Sequence, residues 1–142
     1  MRGATTRRGA TVNGVNVLGV IPGTRVTDKY IVVTAHYDHV GVSDGQVYNG
    51  ADDNASGTAG LLELARMFGR APRTERSIVM ISFTAEESGL LGSEFYAANP
   101  VYPLATTVAG FNIDAMNVYG RVSRLGVTGY GQSDFDERLA VA

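Results

Sequence analysis

Cysteine and tryptophan are absent from the 142 residues, and histidine occurs only as His36 and His39. Without cysteine there is no disulfide, no thiolate metal site and no cysteine nucleophile. Any metal would have to be held by His, Asp and Glu. No apolar run approaches the roughly 20 residues that a transmembrane helix needs. Met1 is followed by polar residues and no apolar h-region, so no signal peptide is legible and localisation is left open. Charge is nearly balanced, 12 Lys+Arg against 14 Asp+Glu for a net −2, which argues against nucleic acid or an anionic membrane surface as a partner. Arg2, Arg7 and Arg8 read as a frayed polar end. No internal repeat, low-complexity segment or domain boundary is legible, and the length suits a single domain, 1–142, with one core.

What is present alternates. Residues 15–21 (VNVLGVI) are apolar with an interior glycine and are stopped by Pro22-Gly23, as expected of an outer strand. A short polar connection over 24–29 leads to residues 30–35 (YIVVTA), which are β-branched and apolar on both alternate faces, the pattern of a strand covered on both sides. Residues 40–50 read as an exposed loop. Ser56 is positioned to cap a helix through Thr58–Phe68, whose Leu61, Leu64, Ala65 and Phe68 form one apolar stripe. Gly69 and Pro72 supply its stop. Residues 77–83 (SIVMISF) predict a second buried strand, 91–98 a short helix, 107–113 a third core strand and 121–127 a fourth. Strand–helix–strand alternation predicts a layered α/β domain with a mostly parallel sheet.

Six of the 14 acidic residues gather near the ends of apolar segments: Asp38, Asp52, Asp53, Glu86, Glu87 and Asp114. In open α/β sheets ligands collect beyond the carboxyl ends of the strands. His36 and Asp38 follow the first buried strand, Glu86 and Glu87 the second, and Asp114 the third, while Asp53 precedes the crossing helix. Carboxylates that converge repel unless a cation lies between them. Residues two apart in an extended segment face the same side, which puts the Asp38 carboxylate within reach of His36. His39 falls on the other face and reads as structural. Glu86 and Glu87 serve one site only if the strand has ended before them. Asp114 lies in an apolar run and is costly there unless paired or coordinating, with Arg121 and Arg124 as the alternative partners. A rival reading is a calcium loop: Asp52, Asn54, Ser56, Gly57 and Glu63 occupy the first, third, fifth, sixth and twelfth positions of that pattern. It demands an entering helix, and the glycine-rich 41–50 is a poor one.

Taken together, His36-Tyr37-Asp38-His39, residues 50–57 (GADDNASG), residues 86–93 (EESGLLGS) and Asn112-Ile113-Asp114 resemble the zinc exopeptidase family of bacterial aminopeptidases, glutamate carboxypeptidases and glutaminyl cyclases. The resemblance runs from Asn16 to about Asp136. It implies a layered α/β/α domain with a mostly parallel mixed sheet, and a two-zinc metallo-exopeptidase, aminopeptidase-like, with His36 and Asp114 on one zinc, Glu87 on the other and Asp53 bridging both. Glu86 would be the general base and acid, Asp38 would orient His36, and the Asp53–Asn54 peptide would be cis. The implied substrate is a peptide or protein with a free N-terminus. The family completes its second zinc site with a later histidine, which this sequence does not have; Ala115 also stands where a methionine often follows the aspartate. The chain is therefore expected to lack the C-terminal part of its domain and to be impaired, with surface left open to self-association. The alternatives are an inactive family remnant binding one metal or none, and a glutaminyl cyclase.

Overall fold

The computed structural model describes residues 2–7, 10–117, 119–124, 126–129, 131–132 and 134–139; Arg8, Tyr130, Ser133 and Ala142 lie outside the described residues. Four strands form the central sheet: β3 (Val17–Ile21), β4 (Val26–His36), β7 (Arg76–Phe83) and β8 (Thr107–Asn112), in the order β3-β7-β4-β8. β3 pairs antiparallel with β7, whereas β7–β4 and β4–β8 are parallel. The mostly parallel order is the one the alternation predicted, and antiparallel β3 makes the sheet mixed, as the resemblance implied. β3 is an outer strand, as its glycine and following proline required.

Helix α1 (Gly57–Arg70) covers one face of the sheet and α2 (Leu91–Ala98) the other. Because successive strand residues point to opposite faces, the neighbours Val32 and Val33 go to different cores. Val33, Ala35, Ile78 and Met80 pack with Leu61, and Leu64, Ala65 and Phe68 lie against that cluster. Val32, Val79 and Ile81 pack with Tyr96 on the opposite side. The stripe read from sequence is therefore the buried face of α1.

Several expectations are corrected. The N-terminal segment is a hairpin, β1 (Arg2–Arg7) paired antiparallel with β2 (Ala10–Val15); its Thr- and Val-containing run satisfies backbone groups better as a ladder than as a frayed end. Asn16 splits the first apolar run into β2 and β3. The polar 24–29 is largely the start of β4, which reaches its register after an irregularity between Val26 and Tyr30. The 40–50 segment carries a hairpin, β5 (Gly41–Ser43) and β6 (Gln46–Tyr48), joined by Asp44 and Gly45 with φ of 49° and 76°. Positive φ at both positions suits the type I′ turn that Asp-Gly favours. The described residues of 121–127 form no strand. β8 stops at Asn112, one residue short of the expected end, and lies at the edge of the sheet.

Helix α1 starts where expected, but Ser56 is not its cap. The Gly57 N–H donates to Asn54 Oδ1 at 2.9 Å, and Ser56 Oγ instead donates to the Asp52 carbonyl at 2.6 Å. At the other end Ala71 is extended, as a residue before proline tends to be, and the helix closes at Arg70.

Candidate metal centre

His36 is the last residue of β4, a strand with neighbours on both sides, and is only 2% exposed. Its carbonyl accepts the Thr58 hydroxyl of α1 at 2.8 Å. Nδ1 lies 3.1 Å from the Asp38 backbone oxygen and 3.7 Å from Asp38 Oδ1. A carbonyl partner at Nδ1 places the proton there and leaves Nε2 with its lone pair free to bind a cation. Nε2 is 3.1 Å from Asp53 Oδ1, 3.3 Å from Asp114 Oδ1 and 4.0 Å from Glu86 Oε2.

Three of the sequence-identified donors therefore meet. Among the described residues His36, Asp53 and Asp114 can each offer one ligand atom with all three within 4.8 Å of one another. One imidazole and two carboxylates form a donor set that suits zinc. Glu87 is outside this trio. Its carboxyl is nonetheless raised above its ordinary value, first by burial and then by the charges of Asp53 and Glu86. Burial lowers His36, but Asp114, Glu86 and Asp38 together outweigh it and hold the imidazole above its ordinary value.

Glu86 and Glu87 do lie beyond their strand, since β7 ends at Phe83. Their segment is gripped from two directions. The Asp38 carboxylate accepts the N–H of Glu86 at 3.0 Å on one oxygen and that of Glu87 at 3.2 Å on the other. Buried Asn16 accepts the Thr84 N–H at 3.2 Å and donates to the Gly92 carbonyl at 2.7 Å. Ala85 and Leu90, at φ of 55° and 61°, bracket the pair in the left-handed region. Such conformations cost roughly 1–3 kcal/mol each and persist only where surroundings fix them. Beside this segment a cavity of about 240 Å³ opens among Thr34, Phe83, Glu86, Leu90 and Asn112.

Asp114 differs from its expected setting. It follows β8 rather than lying inside it, and its side chain is 42% exposed and paired with His36. The Asp53–Asn54 peptide is cis. The calcium-loop reading does not survive: Asn54 turns its amide inward and is 1% exposed, and Glu63 sits on α1 paired with Arg66. Sequence reading missed Asn16 and Asn54 as site-building residues. An asparagine three residues before a helical N–H is a capping signal, and it pointed to Asn54 as much as to Ser56.

Fold and site together define a layered α/β protein with a candidate metal centre at the C-terminal edge of its sheet. The model of peptidase family M28 matches residues 16–142, and the chain belongs to that family. Aminopeptidase YwaD of Bacillus subtilis (strain 168) is 38% identical over 124 residues, which is 84% of this chain and 26% of that protein. The structure of BSAP, a zinc aminopeptidase from Bacillus subtilis, superposes with a TM-score of 0.62 at 35% identity, over 76% of this chain and 25% of that one. A glutaminyl cyclase from an Acidobacteriales bacterium shares the fold, with a TM-score of 0.72 at 22% identity over 81% of this chain and 42% of its own. The chain thus spans about a quarter of the length of these two Bacillus subtilis aminopeptidases.

Proposed function

We propose that this chain carries the metal-binding and proton-transfer half of a zinc-dependent exopeptidase acting on peptides with a free N-terminus. The observation that carries the reading is the convergence of His36, Asp53 and Asp114 within 4.8 Å, with Glu86 4.0 Å from the same His36 nitrogen. Zinc held by that trio would supply Lewis acidity, acidifying a water and polarising the scissile carbonyl. The Asp53 charge also helps to raise the Glu87 carboxyl, so a second ion would find both carboxylates at the same site.

Glu86 takes a proton from the attacking water as the new C–O bond forms. It then returns that proton to the leaving amine as the C–N bond breaks. Asp38 serves both sides of the site, with its carbonyl toward His36 and its carboxylate on the Glu86 and Glu87 amides. His36 and Asp114 would hold the cation rather than transfer protons. No histidine follows His39 in these 142 residues, so from this chain a second ion would take only carboxylates.

The test is zinc stoichiometry after reconstitution, together with hydrolysis of an aminoacyl-p-nitroanilide. At least one zinc per chain, lost in Asp114→Ala, is expected. Less than one zinc in the wild type overturns the reading. Zinc binding without hydrolysis, and without hydrolysis in a polypeptide extended past Ala142, identifies an inactive remnant.

A further inference from the structure

We propose that Asn54 is a positioning residue that sets the distance between Asp53 and Asp114, and so the cation affinity of the site, without itself touching the cation. The inference rests on the metal reading above but draws on other groups. The Asp53 and Asp114 side chains are 59% and 42% exposed. Burial therefore does not place them, and as like charges they push apart. Their separation depends on how the two backbone segments are tied.

Asn54 ties them on both sides of Asp114. Its Nδ2 donates to the Ile113 carbonyl at 3.0 Å, and its Oδ1 accepts the Ala115 N–H at 3.3 Å. The same oxygen accepts the Gly57 N–H at 2.9 Å, anchoring the asparagine to the start of α1. Two N–H groups can meet only the oxygen and a carbonyl only the nitrogen, so the partners fix the amide's orientation. At 1% exposure it has no water to exchange these bonds with. The amide therefore stands between the residue after one carboxylate and both neighbours of the other.

Two further observations agree. Ala115 has φ of 48°, a left-handed turn unfavourable for alanine. It is held there by its own N–H on Asn54 and by the next N–H, of Met116, on Ser56 Oγ at 2.9 Å. Gly57 leaves room for the amide: a Cβ there would stand 2.6 Å from the Ile113 oxygen and collide with Asn54 itself.

The experiment compares Asn54→Ala, Ser56→Ala and, as a control away from the site, the core variant Val79→Ala. Zinc affinity is read by competition with a chelator, the cobalt(II) absorption spectrum reports ligand geometry, and Tm is measured without metal. Folded Asn54→Ala is expected to bind zinc at least tenfold more weakly, the scale on which supporting hydrogen bonds act on metal sites, with an altered cobalt spectrum. Val79→Ala is expected to lose Tm while keeping its affinity. An Asn54→Ala affinity equal to that of the control overturns the proposal. If Asn54→Ala does not fold, Ser56→Ala decides: a two- to tenfold loss, roughly that of one hydrogen bond, supports the role, and an unchanged affinity overturns it. Should the wild type bind no zinc, the metal reading fails separately. The tie is then judged by amide exchange in metal-free protein, where faster exchange at Ala115 and Met116 in either variant supports it and unchanged exchange overturns it.

Discussion

β7 and β8 each deliver carboxylates to the site, yet they are held in opposite ways. Residues 77–81 of β7 are all buried between α1, α2 and the two flanking strands. β8 lies at the sheet edge, with Val108 51% and Phe111 36% exposed. The loop after β7 is consequently placed by a solid core and then trimmed by Asp38 and Asn16. The loop after β8 has less beneath it and depends on hydrogen bonds from Asn54 and Ser56. The arm after β7 thus has a packed core beneath its polar ties, whereas the arm after β8 leans on polar ties with less packing below them.

The largest expected effect tests the packing arm. Ile81→Ala, at a fully buried position, should cost about 2–5 kcal/mol in urea unfolding, against about 0.5 kcal/mol or less for Val108→Ala. Equal costs would mean that β8 is not the weaker strand. Next comes the cation that joins the arms. Zinc at about 100 times its Kd should stabilise the protein by about 2.7 kcal/mol, seen as a rise in Tm, and no rise at saturation would remove the cation from the account.

Asp38→Ala should cost about 1–3 kcal/mol by leaving the Glu86 and Glu87 amides without their acceptor. The same urea titration reads it, and a loss indistinguishable from that of Val108→Ala would show that the clamp is idle. The smallest effect is a pH dependence. His36 is raised in the folded protein, so its proton stabilises the metal-free fold fully below the unfolded value of about 6.5. That contribution is lost as pH rises through the higher folded value. Zinc competes for the same nitrogen, so the Tm gap between zinc-loaded and metal-free protein should widen from pH 6 to pH 8. A constant or shrinking gap would contradict this.

Much of the fold was legible because burial writes a periodicity. The two-sided apolar run 30–35 and the stripe Leu61, Leu64, Ala65, Phe68 found their places in β4 and α1. The hairpin at 41–48 was missed although Asp44-Gly45 carries a turn signal, because its strands are short and exposed and bury nothing that would leave a pattern. The strand expected over 121–127 failed for the converse reason, since an apolar run needs a partner to become a strand and no ladder forms there among the described residues. Asp114 was located correctly in the chain and wrongly in its surroundings: the edge position of β8 exposes what an interior strand would bury.

The sequence by itself determined which side chains approach one sheet edge, because strand ends and acidic residues coincide along the chain and the parallel order carries those ends to one side. It also determined the family, through motifs whose order survives without any coordinates. Only the tertiary structure decided how they meet. It placed the Asp38 carbonyl on His36 and the Asp38 carboxylate on the Glu86–Glu87 amides. It also made Asn54 rather than Ser56 the cap of α1, and made both of them ties between two loops whose partners lie about 60 residues apart. Hydrogen bonds between distant segments leave no periodic trace in the chain, so they are visible only once packing has brought the segments together.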